Sequence, residues 1–200
     1  MSLRLRLVTL YFGPSAQRGN LLAVEQVTNS ALDSVLKQNV VGYKPPPLEP
    51  VGKDLELIRL RMAKGHRERL RVLIDAVGKE KGIELARAAL FDAGKALGEN
   101  ARSRLGVKDT NEDLERAARL IYRILGIDIE MKFDPAGGEM RVTRCSLSKE
   151  YDEEACVAMS ATDEGMISGL SGRASMKFKD RITGGAQCCS ARIEFKGVEK

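Results

Sequence analysis

Tryptophan is absent from the 200 residues, histidine occurs once, and aromatic residues make up 4% of the chain. A core must therefore be built from aliphatic side chains and methionine. The aromatic platforms on which single-stranded nucleic acids stack are also few. No apolar run approaches the ~20 residues needed to span a bilayer. The N-terminal MSLRLRLVTLYF places arginine between leucines and lacks the continuous apolar stretch of a secretory signal. There is no CxxC pair, no Ser/His/Asp set at a recognisable spacing, and no GK[ST] after the glycines of DEGMISGLSGRAS. Zinc-ribbon, serine-hydrolase and phosphate-loop signatures are thereby excluded. Together these absences point to a cytoplasmic chain with reduced thiols and no membrane span.

What is present is 43% hydrophobic residues and a net charge of +5. The basic residues alternate with acidic ones, as in RERLRVLIDAVGKEKGIE, which describes a solvated helix face. Nucleic acid is accordingly not an expected partner.

Residues 3–12 alternate leucine with arginine and predict a strand. A helix is possible over 21–38. The three consecutive prolines of YKPPPLEP (43–50) form a stiff spacer. A boundary is placed there, with residues 1–50 as an arm or small subdomain and 51–200 as the main domain.

Three helical segments follow the spacer. In the first, over 53–78, Leu55, Ile58, Met62, Leu70, Leu73 and Val77 share one side. The second, over 82–104, carries Gly94, Gly98 and Ala101 on one face. Helix-interior glycine costs about 1 kcal/mol relative to alanine, so this face predicts close packing on another helix, within the chain or across a homodimer. The third begins at a Thr110–Asp113 capping pair and ends at Gly126. Alternation then marks a hairpin (IDIEMKF, DPAGG, EMRVTRCSL). A helix with an acidic first turn follows, and a second hairpin (ASMKFKDRI, CCSARIEF) closes the chain. The expected fold class is α+β: three helices, a β-hairpin, a helix and a β-hairpin, with the helices packed on one antiparallel sheet.

All four cysteines lie in the C-terminal third. Strand alternation sends Cys188 and Cys189 to opposite faces, so a shared site would use Cys189. Cys145 leaves the first hairpin, and Cys156 lies in the first turn of a helix, where the macrodipole would lower its pKa. Cys145, Cys156 and Cys189 could converge and hold Zn²⁺ with a fourth donor. They could equally be inert core thiols, or one could be catalytic. His66 falls between Met62 and Leu70 on the apolar stripe, as a pocket residue or a satisfied core histidine. Asp163 and Glu164, mid-helix, are expected in solvent or in an ion pair.

A cysteine near a hairpin exit, a cysteine opening a helix with spaced Gly165 and Gly169, and a last hairpin reading Gly185-x3-Cys189 make up a pattern over residues 53–196. It resembles the vinyl-4-reductase-type small-molecule-binding domain and is similar to the L-2-amino-thiazoline-4-carboxylate hydrolase-like family. The resemblance implies helices on an antiparallel sheet, as in TRAPP tethering subunits, with an apolar cavity and a dimer formed through helices. It also implies zinc held by cysteines and a glutamate in some sensor relatives. The positions of that glutamate and one cysteine hold Phe178 and Ile182 here, and Cys145 would substitute. The expected function is a sensor or carrier of a small apolar molecule, with His66, Met131, Met159, Met166 and Phe178 in its pocket. An alternative is a hydrolase of a small cyclic amide or amidine, acting on C–N bonds other than peptide bonds, with Cys156 catalytic. A third reading is an interaction module using the Gly94/Gly98/Ala101 face.

Overall fold

The computed structural model describes Leu5, residues 12–134 and residues 137–195. The strand expected over 3–12 lies outside these residues except for Leu5, which is helical and buried, and Phe12. Five α-helices are described: α1 (Pro14–Asn39), α2 (Leu55–Val77), α3 (Lys79–Leu105), α4 (Asn111–Ile124) and α5 (Glu153–Leu170). Four strands are described: β1 (Ile127–Asp134), β2 (Gly137–Cys145), β3 (Ala174–Asp180) and β4 (Cys189–Phe195). The α+β class is as expected, but α1 precedes the three expected helices, so four of the five described helices stand before the first strand.

The strands form one antiparallel sheet in the order β1-β2-β4-β3. Two hairpins are zipped together by β2 against β4, with Met140 opposite both Met131 and Ala191. Alternation places Met140, Val142, Cys189, Ala191 and Ile193 on the buried face, against α4 and α5. Gly126, at φ +69, turns the chain from α4 into β1. A Cβ there would also strike the Ser146 hydroxyl, at 2.5 Å.

The glycine face of α3 is taken up inside the chain. It packs on α5, which carries matching glycines of its own. A Cβ on Gly94 would lie 2.1 Å from the Thr162 carbonyl oxygen, and one on Gly165 would lie 2.0 Å from that of Phe91. Gly98 and Gly169 sit equally close to the facing backbone. Of the two alternatives the sequence left open for this face, packing within the chain is the one seen, so Gly94 and Gly98 are not available to an outside partner as the interaction-module reading had it.

Helix α1 packs against α2 and α3 through a mixed face. Leu32 and Leu36 join Leu70, Leu73 and Leu90 in an apolar cluster. Glu25 pairs with Arg61, and Asp33 with Arg69 at 2.7 Å. Residues 44–54 run between α1 and α2 without regular structure. The Arg61 guanidinium reaches back to the Glu49 carbonyl (2.6 Å) and ties this stretch to α2.

Candidate functional site

A cavity of about 80 Å³ lies between the helices and the sheet, where the two apolar clusters of the core meet. A water needs 10–15 Å³ on this measure, so there is room for roughly five to eight water-sized groups. That is room for a small ring.

Helix α5 supplies one wall because Cys156, Met159, Asp163 and Met166 recur at helical spacing. Met62 and His66 of α2, Val24 and Thr28 of α1, and Tyr122 of α4 add to the enclosure. Val142, Cys145, Phe178 and Cys189 close it from the sheet side, and Arg181 and Tyr151 from the connecting segments. His66, Met159, Met166 and Phe178 are among the lining residues, and Met131 is buried in the main cluster instead.

Cys145, Cys156 and Cys189 all reach the cavity, so the three thiols share one compartment. Cys188 points the other way, and its sulfur accepts from Arg141 at 3.4 Å. Burial pushes the Cys145 thiol up to about 12 and raises Cys156 and Cys189 as well. For Cys156, loss of hydration outweighs the helix N-terminus, reversing the expected lowering. Among the described residues, no three His, Cys, Asp or Glu side chains are disposed to hold a metal ion. As arranged, the thiols are neutral cavity walls and do not fit a zinc centre.

His66 is 1% exposed and hydrogen-bonded at both nitrogens. The Thr28 hydroxyl donates to the Val24 carbonyl (2.9 Å), so it must accept from His66 Nε2 (2.8 Å). Nδ1 is then the acceptor for the Tyr151 hydroxyl, also at 2.8 Å. This network sets a neutral Nε2–H tautomer. Burial, with Arg69 nearby, lowers the imidazole to about 3. His66 is thus a satisfied neutral histidine that also borders the cavity.

The sequence reading missed Asp163. Glu164 does form the expected ion pair, with Arg87 at 2.7 Å. Asp163, one residue earlier, turns instead into the cavity. Among the described residues no cation lies within ion-pair distance of it. The Tyr122 hydroxyl lies close enough to hydrogen-bond the carboxyl and ease its charge. Burial raises the Asp163 carboxyl to about 7. Thr162 Oγ1 and Arg181 Nε, on the same wall, are unpartnered. The available signal was positional: Asp163 lies seven residues after Cys156 and falls on the same helix face.

The profile of the L-2-amino-thiazoline-4-carboxylic acid hydrolase family matches residues 62–193. The chain belongs to that family. Its matched region holds most of the cavity wall, including the three thiols and Asp163. A comparison with curated proteins finds no match. Among solved structures, the chain is similar to trafficking protein particle complex subunit 3 from Naegleria fowleri covalently bound to palmitic acid. That similarity has a TM-score of 0.53 and 14% identity, over 73% of this chain and 97% of that one. It is also similar to the phenol-responsive sensory domain of the transcription activator PoxR with phenol. There the TM-score is 0.50 and the identity 15%, over 86% and 91% of the two chains. At these identities the likeness concerns the fold.

Proposed function

We propose that this family member holds a small, compact, largely apolar molecule in the cavity beneath α5. The observation that carries the reading is a cavity walled by methionines, thiols and aromatic rings, into which a few polar groups converge without partners inside the protein. Such a combination is the usual form of a small-molecule site. The phenol bound by the PoxR sensory domain is a ligand of suitable size for it. Five to eight water-sized groups accommodate a five- or six-membered ring with one substituent. Thermal-shift and calorimetric titration with small heterocycles tests the reading. Saturable binding is expected for the wild type, and filling the cavity by M159W should abolish it while the fold survives. Absence of binding across such a set would refute the proposal.

Family membership favours a second reading, hydrolysis of a C–N bond in a small cyclic amidine. Cys156 Sγ would add to the amidine carbon as its proton passes to the substrate's ring nitrogen, the C–N bond would break with that nitrogen leaving as the amine, and water would then release the carbonyl product and restore the thiol. Turnover of 2-amino-thiazoline-4-carboxylate by the wild type and its loss in Cys156→Ala, with binding retained, would establish this reading. Binding without turnover would leave the chain a sensor or carrier.

A further inference from the structure

Helices α1 and α2 run in the same direction, since Glu25 meets Arg61, Thr28 meets His66 and Asp33 meets Arg69. The chain leaving Asn39 must therefore return along the pair before Leu55 opens α2. That return is on the order of 30 Å at about 1.5 Å per helical residue. A polyproline II rod rises about 3.1 Å per residue and covers it with roughly ten residues. The crossover thus accounts for the length and stiffness of the proline-rich segment, but not for its exposure. A rod laid against the helices would hide its apolar side chains. Here every residue of KPPPLEP (44–50) is exposed, with Leu48 at 55%.

Composition sets the conformation of this segment. Pro45, Pro46, Pro47 and Pro50 fix their own φ. Lys44, Pro45, Pro46 and Glu49 each precede a proline and are held extended. Both ends are tied to the body of the protein. The Tyr43 hydroxyl donates to Asp33 at 2.6 Å, and the Arg61 guanidinium donates to the Glu49 carbonyl at 2.6 Å. A rod already stiff and anchored loses little conformational freedom when something binds it.

With three residues per turn, Lys44, Pro47 and Pro50 share one edge of the rod, while Pro45 and Leu48 share another. The first edge offers a cation, two pyrrolidine rings and a backbone short of N–H groups. Lys44 pairs with no acid among the described residues. The complement of such an edge is a groove of aromatic rings bearing hydrogen-bond donors, with a carboxylate placed for the lysine. This chain has no tryptophan and 4% aromatic residues, so a second molecule must supply that groove.

We propose that residues 44–50 form a docking strand for a partner protein whose groove is lined with aromatic rings and carries a carboxylate opposite Lys44.

The test titrates the whole chain into a panel of purified SH3 domains that read Lys/Arg-x-x-Pro-x-x-Pro peptides. The groove tryptophan of each domain reports binding, against a chain that has none. Saturable binding is expected for at least one domain. Pro47→Ala combined with Pro50→Ala should weaken it by about tenfold or more, and Lys44→Glu by about fivefold or more. Pro45→Ala, equally exposed but on a different edge, controls for lost stiffness and should leave the Kd within about threefold. All these positions face solvent, so melting temperatures matching the wild type are expected and show that the fold is intact. Binding that survives the paired proline substitution or the charge reversal overturns the proposal. So does equal weakening by Pro45→Ala, or no binding anywhere in the panel.

Discussion

Burial decides more at single residues here than sequence position does. Cys156 opens a helix, which ordinarily favours its thiolate, yet enclosure by apolar neighbours raises its pKa. Under native conditions at pH 8, one thiol, Cys188, is expected to react promptly with a disulfide reagent. Cys145, Cys156 and Cys189 should follow only on unfolding. Three fast thiols would show that the compartment is open. Asp163 and His66 pull stability in opposite senses. The Asp163 carboxyl is raised in the folded state, so its contribution is full below about pH 4 and is lost as pH rises through about 7. The His66 imidazole is lowered, so its contribution is present above about pH 6.5 and is lost as pH falls toward about 3. The D163N variant should therefore melt higher than the wild type at pH 8, by about 2–4 °C per kcal/mol recovered. The gain should fade toward pH 4. A melting curve unchanged at pH 8 would mean that the carboxyl is better solvated than its surroundings imply.

At the scale of elements, alternation and capping residues were readable from the sequence. Thr110 caps α4 by accepting from the Asp113 amide at 3.2 Å, and β1 and β2 follow their apolar alternation closely. The α3 glycines also signalled a close neighbour. Their partner was not legible, because Gly165 and Gly169 read equally well as pocket-side features of α5. Only the fold shows the two pairs meeting backbone to backbone. The site was legible where residues repeat on one apolar face, as Met159 and Met166 do. It was illegible at Asp163, because a charged residue beside another charged residue looks like solvent-facing helix, and sequence cannot say which of two adjacent acids turns inward. Gly165→Ala provides the check at this scale. Its Cβ would fall 2.0 Å from a carbonyl oxygen, so a cost of about 3 kcal/mol or more is expected in denaturant unfolding. A cost under about 1 kcal/mol would mean that the helices can separate easily.

Across the whole molecule, one cavity gathers side chains from α1, α2, α4 and α5 and from all four strands or their flanking residues. Local pattern reports on each element separately, so a site assembled from so many of them is the last feature to emerge from a sequence. Charge pairing is distributed in the same long-range manner: Arg71 meets Asp152, Lys79 meets Glu154, and Lys149 meets Glu56. These exposed pairs contribute little individually, but they tie the start of α5 to α2 and α3. No described helix is long and apolar enough to cross a membrane.

The glycine seam between α3 and α5 also dictates how anything gets in or out. Where glycines bring two helix backbones into contact, there are few side-chain rotamers to swing aside, and the pair is expected to behave as a single rigid post. The floor bearing Cys156 and Asp163 is bolted to that post. Any opening is then expected on the other side, near the short 3₁₀ turns Leu147–Lys149 and Ile182–Gly184, which adjoin the cavity-lining Tyr151 and Arg181.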